Sequence, residues 1–207
     1  MFGIQHFLLF LSAGILLNIT PGPDTAFILA RTMAGGRRAG IASSLGISVG
    51  ILCHTCAAAV GLSAFLATSA WAFMVVKYLG ACYLVYLGVK TLWQKHGPLT
   101  VGRAKPMSFG AAFRQGIITN VLNPKVALFF LAFLPQFIDP AATAKVPAFL
   151  LLGLTFVTTG TAWCLILVWF AGAITRRLRE DERFSAWLQR AVGGFFVALG
   201  VRLATTR

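Results

Sequence analysis

Two proline-bearing interruptions inside otherwise apolar runs constrain this chain more than any other feature. The first is Asn18-Ile-Thr-Pro-Gly-Pro-Asp24, and the second is Asn120-Val-Leu-Asn-Pro-Lys125. Proline within a helix removes a backbone donor and clashes with the preceding turn, so a membrane helix broken in this way exposes polar backbone where no water can receive it. Such a break is stable only where it lines a cavity. Two of them, one followed by an acid and the other by a base, point to a central binding site built from discontinuous helices.

That these runs lie in a membrane follows from composition: 58% of residues are apolar, 11% are charged and the mean hydropathy is +0.82, whereas about a quarter of a soluble domain is charged. At about 20 residues per span, 207 residues leave room for roughly six spans with short loops and no soluble catalytic domain. The net charge of +13 does not indicate a nucleic-acid partner, because the bases sit between apolar runs, where charge sets orientation. The opening apolar run has no basic leader and no small-residue cleavage pattern, so it reads as a retained first span. Cys53, Cys56, Cys82 and Cys164 all fall in apolar segments and read as packing residues, not a disulfide framework.

The spans are expected at about 3–30 (broken), 39–66, 71–93, 111–137 (broken), 148–174 and a short last one around 191–201. Gly35-Gly36 reads as a loop pair, and Gly46 with Gly50 as a small-residue stripe for helix packing that would also permit pairing between copies of the chain. The fold class is all-α membrane protein: about six transmembrane helices as two inverted three-helix repeats, 1–94 and 111–207, joined by a cytoplasmic linker at 95–110. Leu87-Gly-Val-Lys90 recurs as Leu199-Gly-Val-Arg202, which supports this division. Arg31, Arg37, Arg38, Lys90, Lys95, Arg103, Lys105, Arg114, Arg176, Arg177, Arg179, Arg183 and Arg190 fall on one side of such a layout. Only Lys145, Arg202 and Arg207 fall on the other, which places the odd-to-even connections in the cytoplasm and both termini outside.

Within the apolar runs the ionisable residues are Asp24, His54, Lys77 and Lys125, each of which needs a partner or a wet cavity. Asp24 opens a half-helix, where the dipole and free backbone donors favour an anion; it also reads as a simple cap. Lys125 reads as a base held by carbonyls of its own break and Asn123, or as a counter-ion to Asp24. Lys77 reads either as a cavity residue or as one that snorkels to the surface. Asn18, Thr20, Asn120 and Asn123 are placed to hydrogen-bond a ligand or the broken backbone of Pro21, Gly22, Pro23 and Pro124. His54 between Cys53 and Cys56 lacks a second ligand cluster, so no metal site and no cofactor is expected, though its imidazole could carry a proton.

The same motifs resemble the LysE/RhtB family of bacterial amino-acid exporters: Thr20-Pro-Gly-Pro-Asp24, Asn123-Pro-Lys125 with the run to Pro135-Gln-Phe137, Gly35-Gly-Arg-Arg-Ala-Gly40 and Lys77-Tyr-Leu-Gly-Ala-Cys-Tyr-Leu-Val-Tyr-Leu-Gly88. The resemblance implies a multi-pass protein of the bacterial inner membrane, not an enzyme, that exports amino acids or related small zwitterions in exchange for protons. The alternatives from the residues alone are an ion or metal exporter on the same scaffold, and a non-transporting membrane enzyme or assembly subunit.

Overall fold

The computed structural model describes residues 2–62, 70–93, 105–139, 141–143, 145–180 and 182–205, apart from the side chains of some residues within them. Helix α1 is Phe7–Ile19 and α2 is Pro23–Ala57, which continues through a wide π-helical turn to Leu62; α3 is Ala70–Trp93 and α4 is Phe109–Val121. A second proline break precedes α5, Pro124–Leu128, which runs on through Phe129–Phe133 and a tighter turn at Leu134–Phe137. Helices α6 (Lys145–Trp169), α7 (Ala171–Glu180) and α8 (Glu182–Thr205) complete the described chain.

Helix α2 is a hairpin, because at Gly36 the backbone leaves helical geometry with φ 70° and ψ −176°, a conformation open essentially to glycine alone. The consequence is visible in the contacts. A side chain at Gly40 would strike Thr32, and Ile28 shares a cavity wall with Ile47, whereas in a straight helix residues eight apart are separated by about 12 Å and these isoleucines by far more. The expected loop around Gly35-Gly36 is therefore a one-residue reversal between two helical arms, 23–35 and 37–57.

The two broken segments run antiparallel and are pinned at both ends. At one end Arg31 Nη1 donates to the Lys105 carbonyl (2.9 Å). At the other, Gln5 N donates to the Phe137 carbonyl and Asp139 N to the Gly3 carbonyl (both 2.8 Å). Arg37, at the Gly36 reversal, lies over the Trp169 ring at 4.3 Å, so the reversal in α2 meets the end of α6.

Glycines let the helices approach closely. Added side chains at Gly46 and Gly116 would run into the backbone of the opposing helix at the crossing of α2 with α4, and one at Gly50 would meet Asn120. The small-residue stripe is thus consumed within the chain, not left for a second copy. The repeated Leu-Gly-Val motif has a matching role: Gly88 faces Gly193 and Val197 of α8, while Gly200 faces Ala81 and Val85 of α3.

The core is a phenylalanine-rich interior in which Phe10, Phe129, Phe133, Phe149 and Phe156 are fully buried, with Phe129 stacked on Phe156 at 4.8 Å between centroids. By length and hydropathy two stretches among the described residues suffice to cross a membrane, Lys145–Trp169 and Pro23–Gly61, the latter counted end to end although the reversal at Gly36 divides it into two arms, and a third if Phe109–Val121 and Pro124–Phe137, bent by 47°, are one span. The last helix is longer than its uncharged stretch suggested, reaching Thr205. The expected linker centre, 94–104, lies outside the described residues.

Candidate functional site

Each break leaves a particular carbonyl without its helical donor. Pro21 has no N–H for the carbonyl four residues back, that of Leu17, and Pro124 has none for that of Asn120. Helix α1 closes with Thr20 N and Oγ1 both donating to the Leu16 carbonyl (3.0 and 2.6 Å). The chain then crosses Gly22 in an extended conformation, and α2 starts with Pro23 in its first turn, where a missing N–H costs nothing. At the second break Asn123 caps α5 through its Oδ1, which accepts from Lys125 N at 3.0 Å.

Both carbonyls receive a basic side chain from elsewhere, and that of Asn120 also accepts from Asn123 N within its own break (2.9 Å). Lys125 Nζ reaches across from the second break to the first and donates to the carbonyls of Leu17 (3.0 Å) and Thr20 (2.9 Å), so its charge sits at the negative end of α1's dipole. Gly22 makes room for it: a Cβ there would lie 3.3 Å from Nζ and 3.6 Å from Cε. At the second break the Asn120 carbonyl lies 3.2 Å from His54 Nε2, and because a carbonyl only accepts, Nε2 carries the proton. The His54 ring stacks on Phe130, 5.8 Å between centroids.

A third bond completes the cross-brace. Asn120 Nδ2 donates to Asp24 Oδ2 at 2.8 Å, tying the end of α4 to the start of α2. Asp24 and Lys125 share a wall of one cavity, yet each charge is met by neutral groups from the opposite broken segment, with no ion pair between them.

That cavity has a volume of ≈ 20 Å³, enough for about one water and far below the roughly 300–1,000 Å³ of a ligand pocket. It is closed. Its walls are Leu17 and Asn18 of α1, Asp24, Thr25, Ile28, Ile47 and Ile51 of α2, Lys125 of α5, and one face of α6 carrying Phe156, Gly160, Trp163, Cys164 and Leu167. The spacing of those five α6 residues is that of a single helix stripe. Two polar atoms in this wall, Asp24 Oδ1 and Trp163 Nε1, are buried and have no hydrogen-bond partner. Behind them Asn120 Oδ1 and Asn123 Nδ2 are also unmet.

Of the residues singled out from sequence, Asn18, Asp24 and Lys125 are brought together in the cavity wall. Thr20 contributes its carbonyl, Asn120 and Asn123 brace the second break, and Pro21, Gly22, Pro23 and Pro124 supply the interruptions. Asn18 Nδ2 also donates to Thr159 Oγ1 (3.3 Å), fastening α1 to α6. His54 stands outside the cavity wall as a backbone partner. Lys77 falls in α3, and its side chain lies outside the described residues. The carbonyls holding Lys125 belong to the first break and not, as expected, to its own. No group of three or more potential metal ligands occurs among the described residues. Cys53, Cys56 and Cys82 are exposed, while Cys164 is buried in the cavity wall.

Sequence reasoning missed Trp163, Gly160 and the isoleucines. In a membrane helix the face toward lipid and the face toward the core are both apolar, so periodicity does not separate them.

A family model for LysE type translocators matches residues 15–207. An uncharacterised membrane protein of Vibrio cholerae serotype O1 is 31% identical over 205 residues, covering 99% of this chain and 98% of the relative. Proteins named leucine efflux protein from Salmonella typhimurium and Enterobacter sp. (strain 638) are 30% and 29% identical, each over 99% of this chain and 97% of the relative. No solved structure matches the chain.

Proposed function

Because the chain belongs to the LysE type translocator family, we propose that it is a secondary transporter that exports amino acids or related zwitterions from the cytoplasm, with the cavity between its two helix breaks as the substrate site. The observation that carries this reading is the reciprocal bracing of the breaks, Lys125 on the Leu17 and Thr20 carbonyls and Asn120 on Asp24, around a small cavity with an unmet carboxylate oxygen. Leucine is the first substrate to test, since two relatives are named for its efflux and the cavity's isoleucines, Leu17 and Leu167 are aliphatic.

The layout belonging to this reading is six crossings in two inverted halves in the bacterial inner membrane, 1–94 and 111–207. The antiparallel broken segments and the hairpin at Gly36 support it, because α1 with the first arm of α2 then mirrors α4 with α5 and its continuation. The Arg31–Lys105 and Arg37–Trp169 contacts gather basic residues at one end, which in this layout faces the cytoplasm.

A cavity of one water's volume is too small for an amino acid, so in this reading substrate enters by separation of the two halves, at the expense of the bonds that join the breaks. A zwitterion can replace them. Its ammonium docks on Asp24, and the positive field of Lys125 and of the α2 amino end attracts its carboxylate. A proton arriving at Asp24 from outside cancels the charge that holds the ammonium and releases the substrate. Exchange of one for the other is the proposed coupling.

The test is uptake of a panel of labelled amino acids into inverted membrane vesicles, with and without a proton gradient. Accumulation of a neutral amino acid that the gradient enhances is expected. Absence of any amino-acid flux, or flux of inorganic cations alone, would contradict the reading.

A further inference from the structure

We infer that Trp163 is the hydrogen-bond donor that receives the substrate's α-carboxylate, and that the substrates are amino acids with uncharged aliphatic side chains; this rests on the transport reading above. Two polar atoms in the cavity wall lack partners, and they are of opposite kinds: the Asp24 Oδ1 acceptor and the Trp163 Nε1 donor. An indole N–H only donates and an ionised carboxylate only accepts. Together they match the carboxylate and ammonium of one zwitterion.

Leaving a buried donor unmet costs free energy that native structures generally avoid. The single water the cavity can hold meets at most part of this demand. Lys125 is less suited to the carboxylate, because two of its three ammonium protons are already directed at the Leu17 and Thr20 carbonyls. It supplies positive potential, whereas Trp163 supplies a fixed direction.

Helix α6 explains why the donor is a tryptophan. Trp163 follows Gly160 by three residues on the cavity stripe, and a side chain at Gly160 would touch Asn18 (3.3 Å) and Ile51 (3.4 Å). Gly160 therefore leaves open the space beside the indole. The neighbouring walls are Ile28, Ile47, Ile51 and Leu167, and Asp24 is the only acidic side chain among the residues that line the cavity. With Asp24 engaged by the α-ammonium, no second carboxylate is available in that wall for a basic side chain, and a charged side chain would be left unpaired against hydrocarbon.

The chain has five tryptophans, so replacing Trp71, Trp93, Trp169 and Trp187 with phenylalanine leaves Trp163 as the only indole. With this variant in lipid nanodiscs and nitrogen-15-labelled indole, leucine is expected to move the N–H resonance downfield, while leucinol, which has the ammonium but no carboxylate, binds without that shift. Separately, Trp163→Phe keeps the ring but loses the donor. Calorimetry should show leucine binding weakened about ten- to a hundredfold, as for loss of a hydrogen bond to a charged group, with leucinol unaffected. Leucine that binds but leaves the Trp163 resonance unmoved overturns the inference, as does a Phe variant that weakens both ligands equally. Wild-type protein that binds no amino acid at all instead removes the transport reading, a result distinguishable because the inference by itself fails only when leucine is bound.

Discussion

Replacing Lys125 with methionine tests whether its ammonium joins the two breaks. The change removes two charge-assisted hydrogen bonds, to Leu17 (3.0 Å) and Thr20 (2.9 Å), while keeping a flexible side chain of similar length. Hydrogen bonds to charged groups contribute about 1.5–3 kcal/mol each, for a gross loss of about 3–6 kcal/mol. A water in the ≈ 20 Å³ cavity can satisfy one of the two carbonyls, which lowers the expected loss to about 2–4 kcal/mol. That is a large part of the roughly 5–15 kcal/mol by which a folded protein is stable. The measurement is unfolding of the purified protein in mixed micelles as denaturing detergent is titrated. Leu122→Ala, at a site beside the second break that is 75% exposed, serves as a control expected to stay within about 0.5 kcal/mol of wild type. Lys125→Met matching that control, together with undiminished leucine efflux, would refute the view that this ammonium couples the breaks.

Asp24→Asn should leave the bond from Asn120 replaceable by an amide oxygen but abolish the gradient-dependent part of efflux in inverted vesicles; gradient-driven transport at the wild-type rate would remove Asp24 from the coupling. Gly36→Ala, at φ 70° and ψ −176°, should cost about 1–3 kcal/mol, read in the same detergent titration, because the hairpin in α2 has no other residue outside helical geometry. His54→Leu should cost about 0.5–1.5 kcal/mol, the net contribution of one hydrogen bond, because the Asn120 carbonyl keeps its bond from Asn123 N (2.9 Å), whereas His54→Gln, which can still donate, should recover most of that. Equal behaviour of the two His54 variants would show that the donor is unimportant.

The breaks were legible in the sequence because proline has a fixed backbone consequence, and an acid or base in an apolar run has few places to go. Their partners were not. Lys125 is satisfied by carbonyls of Leu17 and Thr20, and His54 by that of Asn120, and a carbonyl is common to every residue, so side-chain identity gives no sign of which one is free. Counting back four residues from each proline would have named Leu17 and Asn120, but not the base that reaches each. Gly36 shows a different limit: a pair of glycines marks a departure from helix, yet only the backbone angles distinguish a loop from a reversal made at one residue. Trp163 and Gly160 stayed hidden because α6 is apolar all round, and which stripe faces the cavity depends on contacts with α1 and α2 far away in the chain.

The most direct test uses Cys164, which is buried in the cavity wall, in a chain whose exposed Cys53, Cys56 and Cys82 are replaced by serine. The rate at which a membrane-permeant maleimide alkylates Cys164 in vesicles is followed as leucine is added. If amino acids pass between the two breaks, leucine slows the reaction over the same concentration range that saturates efflux. Efflux at full rate with alkylation of Cys164 indifferent to leucine would mean that the substrate travels by another route.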